Sequence, residues 1–224
     1  MTMIVAYTWK NKIVMMADSR KSTRNEEGKM LEYSDKENKI IPVQNKLVIG
    51  HSGLKEVDLG CGQYFDLHQI TEHFIKVNRH VISKATGQQL LTGLVEMWNR
   101  TLHEKLNRNP FSIENRFCLV IAKFEENEFG DIFPTIHTYQ SHLIDYNWDG
   151  NKVVVGDDDV YPIMMPYYKT KTDMWTFEDT LSFYKKGYKE VIDTIETVGG
   201  PIDIYVLEKN PDYSYWLEHK KNTK

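Results

Sequence analysis

The run Ile13-Val14-Met15-Met16-Ala17 contains no polar side chain, and it limits the possible folds more than any other part of the chain. Residues 2–9, just before it, are dense in β-branched and aromatic side chains, and Asn11 lies in the short turn between the two segments. A strand with one wet face alternates apolar and polar residues, whereas an unbroken apolar run marks a strand covered on both faces. The opening hairpin is therefore predicted to lie inside a layered structure.

Another strand pair is predicted at 39–43 and 46–51 around Gln44-Asn45, after a polar connection over 20–38 that turns at Asn25-Glu26-Glu27-Gly28. The period then becomes helical. Val57, Tyr64, Leu67, Ile70, Phe74 and Val77 predict a helix over about 54–81, with Gly60 and Gly62 interrupting its start. Leu90, Leu91, Leu94, Val95, Trp98 and Leu102 predict a second over about 87–106, closed by Asn109-Pro110. Strands return at 116–124, 135–139, 143–146 and 153–155, and residues 161–166 read as a helix-poor, proline-broken stretch. Thr176 with Asp179 three residues on is a helix-start signal, and that helix runs to about Thr194. After the turn Val198-Gly199-Gly200-Pro201, strands at 202–207 and 213–217 complete the order, and the polar tail 218–224 is expected to fray. Two sheets, each covered by a helical pair, account for this order in one domain over residues 1–224. The expected fold class is α+β, a four-layer αββα sandwich of two antiparallel sheets.

Charge and cysteine content narrow the function. With 28 Lys and Arg against 32 Asp and Glu, the net charge is -4 and no basic stripe is present, so nucleic acid is not the expected partner. No apolar run approaches the roughly 18 residues of a membrane span, so no membrane partner is expected. The first residues lack a basic segment before an apolar core, which argues against a signal peptide and makes a cytoplasmic location the default expectation. Cys61 and Cys118 lack C-x-x-C spacing and read as thiols in a reducing compartment.

Chemistry is best sought at Thr2. Removal of Met1 would leave a hydroxyl and a free α-amine on one residue, and the amine can take the hydroxyl proton. An α-amine has an ordinary pKa of about 7.7–8.0, and a nearby cation lowers it by disfavouring the charged form. Thr at position 2 is common in ordinary proteins, so it acquires meaning only together with other segments. Those are Thr2-Met3-Ile4-Val5-Ala6-Tyr7, Ile13-Val14-Met15-Met16-Ala17-Asp18-Ser19-Arg20, Asn38-Lys39-Ile40-Ile41 and Ile49-Gly50-His51-Ser52-Gly53. The set resembles the start of proteasome β subunits and of the related bacterial proteasome-like threonine peptidases, which are N-terminal-nucleophile hydrolases. In that family a Thr-led strand is followed by a strand ending Ala-Asp-Ser-Arg, a Lys-led apolar strand, and a strand ending in a small residue and Gly. Beyond residue 53 the likeness is one of element order, with Val155-Gly156 and the Gly199-Gly200 turn as its markers.

The resemblance implies a threonine-type endopeptidase and assigns roles by position. Thr2 corresponds to the nucleophile, Asp18 to the acid that orients a lysine, and Lys39 to that lysine. Gly53 corresponds to the residue whose N–H forms the oxyanion hole. Ser22 corresponds to a backbone contact that aligns substrate as an added strand, and Lys21, Glu37 and His51 to positions shaping the first specificity pocket. The resemblance also implies a homo-oligomeric ring or stack, peptide or unfolded-protein substrates, an ATP-dependent regulator, and neither metal nor other cofactor. The family's Gly-Ser-Gly is here Gly156-Asp157-Asp158, which puts Asp157 in place of a serine that supports the amine, and the family's Asp-x-x-Ser is replaced by Ile195 and Val198. Two alternatives stay open: an inactive assembly subunit on the same fold, and an amidase acting on small amides. The Asp157-Asp158-Asp159 run is a poor cation site, because three consecutive acids cannot face one ion from a regular element.

Overall fold

The opening hairpin is built from β1 (Ile4–Trp9) and β2 (Lys12–Asp18), paired antiparallel from Ile4↔Ala17 to Trp9↔Lys12. In the computed structural model, residues 3–24, 30–60, 63–109, 116–141 and 150–219 are described. Nearly every residue of this hairpin is buried because its two faces enter two different cores. Val5, Tyr7, Val14 and Met16 point one way, and Ile4, Ala6, Ile13, Met15 and Ala17 the other. This is the physical reason for the unbroken apolar run.

The chain continues through β3 (Lys21–Arg24), β4 (Met30–Ser34), β5 (Ile40–Val43), β6 (Leu47–Gly53), β7 (Glu56–Gly60) and β8 (Gln63–Asp66). Helices α1 (His68–Asn78) and α2 (Gly87–Arg100) follow, the second running on into a π-helical turn at Thr101–Lys105. Then come β9 (Phe117–Glu126), β10 (Ile132–Gln140), β11 (Lys152–Val155), α3 (Val160–Lys169), α4 (Phe177–Thr194), β12 (Ile202–Glu208) and β13 (Tyr215–Glu218). One sheet has the order β11-β1-β2-β12-β13 and a second the order β10-β9-β6-β5, all neighbours antiparallel. The hairpins β3-β4 and β7-β8 stand apart as two-stranded sheets.

Three cores give the layer order. The first joins the five-stranded sheet to α3 and α4 through Met164, Tyr184, Tyr188 and Val191. A second joins the four-stranded sheet to α1 and α2 through Phe74, Leu91, Leu94 and Trp98. The third fills the space between the sheets, with Ile4, Met15, Val48, Val120 and Tyr205. The result is a mixed α and β sandwich of antiparallel sheets. Gly50 lets the sheets approach at one point, since a Cβ there would sit 2.8 Å from Met15 Sδ. Among the described residues, no helix is long and apolar enough to cross a membrane.

Three sequence expectations are corrected. Residues 56–60 and 63–66 are not helical but form β7 and β8, with α1 starting only at His68. Two glycines within three residues each remove about 1 kcal/mol of helix propensity and favour a chain reversal. Residues 160–169 form α3 despite Pro162 and Pro166. Pro162 stands in the first turn, where helix N–H groups have no intrahelical partner, so its missing donor costs little. Pro166 does lose a bond, but Val160, Tyr161, Met164 and Tyr167 bury against the sheet, and packing outweighs that local cost. Residues 21–24 and 30–34, read as polar connection, pair as β3 and β4. The expected turn at 25–28, the strand at 143–146, Pro110, Cys61 and the tail from 220 lie outside the described residues.

Gly187 shows how packing decides against propensity. It sits inside α4 under the Tyr167 ring, and a Cβ there would lie 2.8 Å from Tyr167 Cγ. Alanine gains up to about 1 kcal/mol of helix propensity, but overpacking a core costs about 1–3 kcal/mol. Gly187→Ala is expected to lower stability in urea denaturation, the reverse of what an exposed helical glycine would give.

Candidate active site

Asp18 ends β2 and is fully buried, and four N–H donors converge on its carboxylate. Oδ1 accepts from the Met3 N–H at 3.0 Å. Oδ2 accepts from Lys39 Nζ at 3.0 Å, from the Arg20 N–H at 3.1 Å and from the Gly199 N–H at 3.2 Å. Lys39, only 5% exposed, also donates to the Arg20 carbonyl. The acid and the lysine expected to pair therefore meet, and they do so against the backbone of Met3, the residue that follows Thr2. Thr2 itself lies outside the described residues.

Further hydrogen bonds cross-link the frame around this pair. Arg20 forms a two-point pair with Asp35, Nε–Oδ1 2.9 Å and Nη2–Oδ2 3.1 Å, and Nη1 donates to the Glu196 carbonyl. Gly199 lies against that guanidinium, where a Cβ would come 2.6 Å from Nη1, so the glycine is what lets its N–H reach Asp18. Asp157, two residues past β11 and buried, accepts from Thr197 Oγ1 at 3.3 Å. The turn at 197–199 thus touches both acids. The Tyr188 hydroxyl accepts from the Asp18 N–H at 2.6 Å and donates to the Met3 carbonyl. Burial, followed by the charge of Asp18, pushes the Tyr188 hydroxyl well above its ordinary value, so it stays protonated.

Gly53 closes β6 with φ +94°, a conformation open chiefly to glycine. It pairs in register with Phe117, and the next N–H, of Leu54, bonds to the Arg116 carbonyl at 2.8 Å. The His51 N–H bonds to the Lys39 carbonyl at 3.1 Å. Strand alternation places the Gly53 N–H on that same side, one step further along.

The predicted pocket residues also gather. Lys21 pairs with Glu56 at 2.6 Å, Glu37 is bonded by Lys55, and the His51 and His68 rings meet edge to face at 3.8 Å. Burial works to raise the Glu37 carboxyl, but the hydrogen bond and charge of Lys55, with Lys21, hold it below its ordinary range. Nε2 of His51 and Nε2 of His68 are both buried with no hydrogen-bond partner. Ser22 is placed in β3 opposite Tyr33. Among the described residues, no group of three His, Cys, Asp or Glu side chains is arranged to hold a metal. Cys118 faces the core between the sheets, and burial pushes its thiol up to about 12.

Burial also holds the His51 imidazole well below its ordinary value, with His68, Lys39 and Lys55 acting in the same direction. Unfolded His51 takes a proton below about 6.5, whereas the native ring does not until a lower pH. The unfolded state therefore binds more protons in that window, and stability falls as pH drops below about 6.5. The slope approaches about 1.4 kcal/mol per pH unit for one such group, and His51→Gln is expected to flatten it in denaturation series between pH 7 and 5.

Several contributors carried no mark in the sequence: Tyr188, Lys55, His68, Thr197 and Asp35. Tyr188 reads as one apolar position on the α4 stripe, and only the backbone it meets makes its hydroxyl matter. No protein-family model matches the chain, and no curated protein matches it.

Proposed function

We propose that the chain is a threonine-type endopeptidase of the N-terminal-nucleophile kind, on a proteasome-like αββα fold. The observation that carries the reading is the buried Asp18–Lys39 pair bonded to the backbone of Met3. Covalent geometry leaves Thr2 one peptide away, with its Cα about 3.8 Å from that of Met3. If the contact of this pair with Met3 extends to a freed Thr2 amine, the Lys39 ammonium favours the neutral amine, which is the form that acts as base.

In this reading the amine accepts the Thr2 hydroxyl proton as Oγ bonds to the substrate carbonyl carbon. The Gly53 N–H donates to the oxyanion, a contact worth roughly 3–4 kcal/mol. The C–N bond then breaks, the leaving amine takes the proton, and an ester remains on Thr2. Water attacks the ester, gives its proton back to the threonine oxygen through the amine, and releases the acid. Lys21, Glu37 and His51 border the first specificity pocket, and Ser22 offers backbone to an extended substrate. Assembly into a homo-oligomeric ring or stack, and supply of substrate by an ATP-dependent regulator, belong to the same reading.

One observation favours an inactive assembly subunit instead. Asp157 is a buried carboxylate where the family carries a serine, and a carboxylate near the amine raises its pKa and opposes Lys39.

The deciding experiment measures the N-terminal residue of the purified chain by intact mass, then its labelling by a threonine-directed β-lactone. A chain beginning at Thr2 should be labelled once, on Thr2, and should cleave fluorogenic peptides; Thr2→Ala should do neither. A chain that begins at Thr2 and resists the probe sinks the peptidase reading.

A further inference from the structure

The β1–β2 ladder ends one pair early, and a side chain from another layer occupies the place of the missing pair. The hairpin closes at Trp9↔Lys12 across a two-residue turn, so the narrow, doubly bonded pairs fall at Trp9↔Lys12, Tyr7↔Val14, Val5↔Met16 and, next in line, Met3↔Asp18. That last pair is not made: pairing stops at Ile4↔Ala17. The Asp18 N–H goes to the Tyr188 hydroxyl at 2.6 Å, and that hydroxyl donates to the Met3 carbonyl. The Met3 N–H, which an ordinary ladder would give to the Asp18 carbonyl, goes to Asp18 Oδ1 at 3.0 Å. Both bonds of one rung are thus rerouted through side chains, one from α4 and one from Asp18 itself.

We propose that Tyr188 is a positioning residue of this site: its hydroxyl is wedged into the last rung of the hairpin, holds the start of β1 off β2, and so frees the Asp18 carboxylate to join Met3 to Lys39. The wedge has a physical logic. A buried rung must satisfy its N–H and its C=O, and one hydroxyl, accepting from the first and donating to the second, does both while adding its own width between the strands. Oδ1 of Asp18 reaches the Met3 N–H in the space so made. Without the hydroxyl, the N–H and C=O of the rung are free to bond each other directly, which draws Met3 toward the Asp18 backbone and away from the carboxylate that binds Lys39. Tyr188 touches no substrate in this scheme; it acts through Met3 and Asp18.

This inference rests on the peptidase reading, and the test separates the two. Wild-type chain with Thr2 as its first residue is compared with Tyr188→Phe for β-lactone labelling and fluorogenic-peptide kinetics across pH. If the wild type is not labelled, the peptidase reading and the catalytic part of this inference fall together. If it is labelled, the variant is expected to lose about tenfold to a hundredfold in kcat, the range that a displacement near 1 Å costs, with KM held within about twofold. The acid limb of its kcat profile should also move to higher pH, because an amine further from the Lys39 ammonium protonates more readily. A labelled wild type beside a variant with unchanged kcat, or one that loses only thermal stability with its pH profile intact, overturns the inference and leaves the peptidase reading standing. The wedge itself is read on the wild type, which keeps the test alive should the variant fail to fold: NMR should show no through-hydrogen-bond coupling from the Asp18 amide nitrogen to the Met3 carbonyl carbon. A folded variant should gain that coupling. Its presence in the wild type overturns the inference whatever the kinetics show.

Discussion

Lys39→Ala is expected to destabilise the fold by about 3 kcal/mol and, on the proposed peptidase reading, to abolish peptide turnover. Removing one partner of a buried ion pair typically costs about 3–5 kcal/mol, because the other charge is left behind uncompensated. Here the lower end applies, since Asp18 keeps the N–H groups of Met3, Arg20 and Gly199. Charge-assisted bonds from three backbone donors offset part of the lost ammonium. Lys39→Met, which refills the space left by alanine and keeps the Asp18 carboxylate on its three backbone donors, should recover part of the stability and, on the proposed peptidase reading, none of the turnover, a combination that separates folding from chemistry. Urea denaturation and single-turnover assays measure the two effects independently. A loss below about 1 kcal/mol would mean that the pair behaves as a solvated surface bridge, and the buried site described above would not exist in solution.

Gly53→Ala is expected to be nearly as damaging for a different reason. At φ +94° an L side chain is strained, which costs about 1–2 kcal/mol. Its Cβ would also run into the Arg116 carbonyl oxygen and lie 2.8 Å from Phe117 Cα, both backbone atoms of the neighbouring segment. Backbone cannot rotate away as a side-chain tip can, so the end of β6 must lift from β9. That endangers the bond from the Leu54 N–H to the Arg116 carbonyl. A total loss of about 2–5 kcal/mol follows from strain and overpacking together. If the Gly53 N–H stabilises the oxyanion, kcat should fall by about a hundredfold to a thousandfold in whatever fraction remains folded. A variant as stable as wild type would show that this turn is not held as described.

What could be read in the sequence depended on whether its cause was local. The hairpin of β1 and β2 was legible because burial on both faces writes itself as an apolar run. The meeting of Asp18 with Lys39 followed from a resemblance in spacing, which the contact distances match at 3.0 Å. The β7–β8 hairpin was hidden because Val57, Tyr64 and Leu67 happen to fit a helical period. The helix α3 was hidden because proline rules describe local backbone alone, while α3 is held by burial against the sheet and α4. Tyr188 could not be found at all from its neighbours: Tyr184, Tyr188 and Val191 form an ordinary core stripe, and all three are buried in the same cluster. Its hydroxyl gains a role only from the strand end that lies beneath it.

Each of the two sheets has filling on both of its broad sides, one filling shared with the other sheet and one with a pair of helices. Neither sheet owns a private interior that could survive the loss of its neighbours. Stripping α3 and α4 away would bare one side of β1 and β2 to water, and the strain would pass through Ile4 and Met15 into the layer beyond. Such an arrangement ties the stability of each layer to the packing of the next. Damage at the outermost helix is then felt at the first strand, where the proposed chemistry would occur.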